Sequence, residues 1–105
     1  MIMKKVFISQ PMNGLTDEEI LANREEAIEN IKKRIGDDIQ ILDSFFQDYN
    51  PDNGSIPLKY LAKAIDVLAE ADIVYFCPDW EDARGCKIER QCAVEYGIER
   101  IYGQG

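Results

Sequence analysis

The sequence predicts an α/β fold: a single-domain, Rossmann/flavodoxin-like three-layer sandwich built on a parallel sheet of about four strands, order 2-1-3-4. Three observations predict it. Short apolar runs alternate with segments of helical periodicity in the order β-α-β-α-β-α-β, the pattern of a parallel sheet with helices on both faces. The run Ile73 to Cys77 is continuously apolar and rich in β-branched and aromatic residues, which suits a strand covered on both sides. The length of 105 residues fits one domain, 1–105, with one core. Right-handed crossovers then give the strand order.

The first strand is Lys4 to Ser9, centred on Val6-Phe7-Ile8 and ended by the Ser9-Gln10-Pro11-Met12-Asn13-Gly14 loop, where Pro and Asn-Gly mark a turn. Thr16 and Glu19 have the spacing of a capping box and start the first helix. Ile20, Ala27, Ile28, Ile31 and Ile35 recur on one face of that helix, and Gly36 stops it. Arg24 reads as a surface charge beside the exposed face. The second strand is Asp38 to Ser44, with Ile39, Ile41 and Leu42 as its apolar residues. The loop Phe45 to Pro57 is long for this kind of connection; its two phenylalanines and Tyr49 either cover the sheet edge or stack on a ligand. A second helix is expected over Leu58 to Ala71, with Leu58, Leu61, Ile65 and Leu68 inward.

The third strand is Ile73 to Cys77, stopped by Pro78, and a polar loop leads to a third helix. Ile88, Cys92 and Tyr96 share one stripe at i, i+4, i+8, which predicts that this stripe packs on the sheet. Glu89 lies beside it, in the first turn. Ile98 to Tyr102 forms the last strand, and Gly103-Gln104-Gly105 a tail.

Bulk composition excludes several function classes. A net charge of −8 disfavours binding of a nucleic-acid polymer. The absence of His removes Ser-His and Cys-His nucleophile pairs and most zinc sites, so no metal and no cofactor is expected. Three cysteines without a CxxC pair read as reduced, mostly buried thiols. The first ten residues lack a signal-peptide layout and no apolar run is long enough to span a bilayer, so the expectation is a cytoplasmic protein without membrane association.

In the order 2-1-3-4 the chain switches direction between strands one and three, and open α/β sheets bind ligands at that switch point. Two loops line it, Ser9 to Gly14 and Pro78 to Gly85, with Glu89 just behind the second. A glutamate in a first helical turn is an ordinary surface residue favoured by the dipole. It could also be a carboxylate nucleophile, held ionised by the helix end, with the small Ala93 one turn on leaving room. Asp79, Glu81 and Asp82 supply candidate acids. Trp80 either anchors its loop or an oligomer interface, or gives an aromatic base a face. Arg84 could pair with Glu89 or with a ligand phosphate.

These segments resemble the nucleoside 2-deoxyribosyltransferase-like superfamily, in a small bacterial and phage branch of unknown function. The resemblance rests on Val6 to Gly14, on Ala71 to Phe76, and on the spacing Gly85, Glu89, Ala93, Gly97. It implies that Glu89 attacks the anomeric carbon of a deoxyribosyl group and that Ser9, Gln10, Pro11, Met12, Asn13 and Gly14 face the sugar or its 5′-phosphate. Trp80, Arg84 and Gly85 complete the expected substrate contacts, Asp82 or Asp79 is the expected acid, and a homo-oligomer is implied. Where such enzymes place a Tyr against the catalytic glutamate, Phe7 or a neighbour stands here, and an acid of the second helix is replaced by Ala64. The expected function is therefore cleavage of the N-glycosidic bond of a nucleoside or its 5′-monophosphate. The alternative is a non-catalytic nucleotide-binding or sensor module of the same fold.

Overall fold

The computed structural model describes residues 3–103. Among them the chain runs β1 (Lys4–Ser9), α1 (Asp17–Ile35), β2 (Ile39–Ile41), α2 (Ile56–Leu68), β3 (Ile73–Phe76), α3 (Arg84–Glu95) and β4 (Glu99–Tyr102), with one 3₁₀ turn, Trp80–Asp82, before α3. All strands are parallel and the sheet order is β2-β1-β3-β4, the topology read from the sequence. Gln104 and Gly105 of the expected tail lie outside the described residues. No helix among the described residues is long and apolar enough to cross a membrane.

β1 is central, pairing Val6 with Ile41 on one side and with Ile73 on the other. Its side chains alternate between the two faces of the sheet. Val6 and Ile8 pack with Ala27 and Ile31 of α1 and with Tyr75. Phe7 packs on the opposite side with Ala64 and Leu68 of α2, Ala93 of α3, and Val74 and Phe76. Thus α1 covers one face and α2 with α3 covers the other, and burial on both faces explains why β1 and β3 carry no polar alternation. By the same alternation Ser9, two residues after Phe7, falls on the α2/α3 side.

The capping box of α1 forms as expected. The Thr16 hydroxyl accepts from the Glu19 N–H at 3.1 Å, and the Glu19 carboxylate accepts from the Thr16 N–H at 3.0 Å. α2 starts two residues earlier than predicted, because Ser55 caps it and Pro57 fits its first turn. It also ends at Leu68, before the expected Ala71. Leu58, expected inward, is 60% exposed at that early turn. β2 is shorter than the Asp38 to Ser44 segment predicted for it, although Leu42 and Ser44 beyond its end are buried.

α3 differs most from expectation. Its buried residues are Cys86, Glu89 and Ala93, not the Ile88, Cys92, Tyr96 stripe. Ile88 is 38% exposed and Tyr96 83% exposed, while Ala93 is fully buried. The helix turns Cys86 and Ala93 toward the sheet, and Ala93 packs with Phe7, Val74 and Phe76. It also begins at Arg84, so Glu89 sits in the second turn rather than the first. Gly97 ends it at a left-handed φ of 70°, and the Ile98 N–H donates back to the Ala93 carbonyl at 2.9 Å.

The long loop before α2 is anchored. Tyr49 packs edge-on to Tyr60 with ring centroids 5.1 Å apart, the Tyr60 hydroxyl donates to the Tyr49 carbonyl, and Lys63 lies over the rings of Phe46 and Tyr49.

The packing of α3 makes a prediction. Ala93→Leu should destabilise the protein by about 1–3 kcal/mol, because an enclosed site must accept extra volume. Tyr96→Ser should stay within about 0.5 kcal/mol of wild type. Urea denaturation of the two variants checks this; the opposite ranking would restore the stripe read from the sequence.

Candidate functional site

Ser9 ends β1 and Glu89 projects from α3 over it. The Ser9 hydroxyl donates to Glu89 Oε1 at 2.6 Å, a buried hydrogen bond between residues 80 positions apart. Glu89 is only 8% exposed. Among the described residues no Lys or Arg forms an ion pair with it. Burial therefore dominates and pushes its carboxyl pKa up to about 7, while the Ser9 hydrogen bond pulls the other way. The expectation that a helix end holds Glu89 ionised is corrected: the residue lies too far into α3, and desolvation favours its proton. The Ser9 hydroxyl also acts on the neighbouring Cys86 thiol, whose pKa burial nonetheless pushes up to about 11. Cys77 reaches about 12 for the same reason. Both thiols are buried and held neutral, so neither is a nucleophile at neutral pH.

Glu89 opens on a cleft of about 850 Å³ at the C-terminal ends of the strands. The cleft brings together most of the residues singled out in the sequence. Gln10, Pro11, Met12 and Asn13 line it from the β1 loop, and Asp82, Arg84 and Gly85 line it from the approach to α3. Phe45 and Phe46, Tyr60 and Leu61, and Ala64 supply the apolar side from the long loop and α2. Both phenylalanines line the cleft, and Phe46 also packs against the core cluster that covers the sheet, while Tyr49 braces the loop.

Four predicted residues stand elsewhere, the first being Ser9, which is buried beneath Glu89 and does not line the cleft. Gly14 does not line the cleft; it holds a left-handed turn at φ 81° before α1. Asp79 lines a second cavity of about 440 Å³ between α1 and the β3 loop, so of the two candidate acids only Asp82 shares the cleft with Glu89. Asp79 is the one non-glycine with a positive φ among the described residues, 70°, in the turn closed by the Trp80 N–H on the Cys77 carbonyl. Trp80 offers no face to the cleft. It packs against Phe76 and Tyr102 at centroid distances of 5.5 and 5.7 Å, with Arg90 over its ring at 5.4 Å. Its loop-anchoring reading is the one the packing supports. Arg84 is an exposed residue of the cleft rim and is not paired with Glu89.

Sequence reasoning missed Arg24 and Ser44. Arg24 Nη1 donates to Gln10 Oε1 at 3.2 Å and to Ser44 Oγ at 2.9 Å, and Nη2 donates to the Leu42 carbonyl at 2.7 Å. Ser44 in turn donates to the Ile8 carbonyl at 2.9 Å. The signal was present. Ile20, Arg24, Ala27 and Ile31 follow i, i+4, i+7, i+11, so Arg24 stands within the apolar stripe of α1 rather than beside its exposed face. Among the described residues no cluster of His, Cys, Asp or Glu could hold a metal ion.

The fold and the site together define a doubly wound α/β protein with a buried carboxylate at its switch-point cleft. The chain belongs to the family described as domain of unknown function DUF4406, which matches residues 4–102. No curated protein and no solved structure matches it.

Glu89 makes stability depend on pH with a definite sign. Between its ordinary value of 4.5 and about 7, the folded protein keeps a proton that the unfolded chain has released. That stabilisation is complete below pH 4.5 and lost as pH rises through 7. Glu89→Gln removes the penalty of the ionised form and keeps an acceptor for Ser9. Its gain over wild type should be larger at pH 8 than at pH 5 by about 2–3 kcal/mol. Denaturant melts at the two pH values measure this, and an equal difference at both would show that Glu89 is not buried as a neutral acid.

Proposed function

We propose that the cleft binds a nucleoside or its 5′-monophosphate and that Glu89 cleaves the N-glycosidic bond. The observation that carries this is the buried Glu89 carboxyl, hydrogen-bonded by Ser9 and opening on a cleft with phenylalanine and carboxamide side chains. The resemblance to the nucleoside 2-deoxyribosyltransferase-like superfamily supports it, since Glu89 holds the position of the catalytic glutamate.

The chemistry is that of a retaining glycosidase. Ionised Glu89 forms a bond to the anomeric carbon as the carbon–nitrogen bond breaks. The base leaves with the bonding electron pair and takes up a proton, for which Asp82 is the candidate donor. Water or a second base then attacks the anomeric carbon, the glycosyl ester to Glu89 breaks, and the proton released by the attacking group returns to Asp82. Phe7 or a neighbour stands where the resemblance leads to a Tyr, and the Ser9 hydroxyl instead bonds Glu89 and orients the nucleophile. Phe45 and Phe46 supply flat apolar surface for a base, and Gln10 and Asn13 supply amides. In this reading the protein works as a homo-oligomer in the cytoplasm.

One observation favours a second reading. No second carboxylate bonds to Glu89 or to Ser9 among the described residues, and a non-catalytic nucleotide sensor needs none.

Base release decides between them. With a panel of deoxynucleosides and their 5′-monophosphates, free base should appear, and Glu89→Ala should lower kcat by at least about 1,000-fold, the scale of losing a covalent nucleophile. Because Glu89 must be ionised to attack and the leaving base must be protonated, kcat/KM should be bell-shaped in pH, with one limb near 7 set by Glu89. Ligand binding with no release from any panel member would favour the sensor; neither release nor binding would remove both readings.

A further inference from the structure

Arg24 belongs to α1, which packs on the face of the sheet opposite the cleft. Its guanidinium nevertheless reaches past the C-terminal ends of β1 and β2 to Gln10 and Ser44, two residues that line the cleft. Every bond it makes is to a neutral acceptor: the Gln10 amide oxygen, the Ser44 hydroxyl and the Leu42 carbonyl. Among the described residues it forms no ion pair, Asp43 acting on it only at longer range, and burial draws its pKa down. A half-buried guanidinium without a paired acid costs stability, so its three bonds must hold it in place.

The bonds around it leave its two partners little freedom. Gln10 accepts from Arg24 through Oε1 and donates through Nε2 to the Ile20 carbonyl at 3.1 Å. Its amide is thereby fixed in orientation, with one N–H left to offer a ligand. Ser44 gives its only hydrogen to the Ile8 carbonyl and accepts from Arg24, so it can only accept from anything else. The fork of one side chain therefore joins the loop after β1 to the segment after β2.

We infer that Arg24 is a positioning residue that sets the Gln10 and Ser44 walls of the cleft together and thereby fixes its ligand-binding geometry without touching the ligand. A lysine in its place carries the charge but cannot span three acceptors that lie in different directions.

The test sets Arg24→Lys beside wild type and has two readouts, of which the second rests on the glycosidase reading. By hydrogen exchange, segments 10–15 and 42–46 should exchange about tenfold faster in the variant, the scale of losing one or two hydrogen bonds to a charged group. Segments within α2 and α3 should keep their wild-type rates. In the base-release assay KM should rise about tenfold with kcat within about twofold, since binding rather than the chemical step is loosened. The pH limb set by Glu89 should not move.

Unchanged exchange in the two segments overturns the inference whatever the assay shows, and so does a uniform rise that includes α3, which would mean general loss of stability. An unchanged KM beside faster exchange also overturns it. Absence of turnover in wild type removes the glycosidase reading alone and leaves exchange to decide. Should Arg24→Lys fail to fold, Ser44→Ala removes one acceptor and carries the same exchange test, with a rise of about threefold expected.

Discussion

The contact on which the site depends is the hydrogen bond from Ser9 to Glu89. Two independent features of the chain make it. Strand alternation puts Ser9 on the same face as Phe7, and α3 packs on that face through Ala93, which places Glu89 over the strand end. The same packing strips water from the carboxyl, and one hydroxyl returns part of what is lost. A glutamate with a single short hydrogen bond and no cation sits near the midpoint of its titration at neutral pH. It has both protonation states within reach, which acid–base or nucleophilic chemistry uses and a purely structural contact does not need.

The rest of the switch-point region supports that carboxyl from two sides. Below, Phe7, Val74 and Phe76 form a rigid floor, with Phe76 stacked on Tyr102 at 5.3 Å and Trp80 against both. This aromatic packing pins the 3₁₀ turn that carries Asp82 toward the cleft. Across the cleft, Arg24 ties the β1 loop to the segment after β2, while Tyr49, Tyr60 and Lys63 tie the long loop to α2. Glu89 and the residues facing it are thus held by separate anchors, so the cleft wall can be loosened without moving the carboxyl.

The topology was legible because apolar runs, caps and Gly or Pro stops fall in one consistent order along the chain. The switch point followed from that order, and with it Glu89, Asp82 and the Gln10 to Asn13 loop. What was not legible was which face of α3 turns inward. Periodicity ranks faces by hydrophobic size, and on that measure Ile88 and Tyr96 outweigh Cys86 and Ala93. Packing instead buries Cys86 and Ala93 against the sheet and leaves Ile88 and Tyr96 outward. Arg24 was hidden by the same habit: a charged residue within an apolar stripe was assigned to solvent, although three neutral acceptors awaited it. Trp80 could not be placed until β4 was known to bring Tyr102 beside Phe76.

The most direct measurement is a carboxyl-carbon NMR titration of glutamate-labelled protein, with Glu89→Gln to assign the resonance. A buried Glu89 held by Ser9 predicts one glutamate titrating near pH 7, moving higher still in Ser9→Ala because the hydrogen bond that opposes burial is gone. A Glu89 resonance titrating with the surface glutamates, at about 4.3, and indifferent to Ser9→Ala would contradict the account.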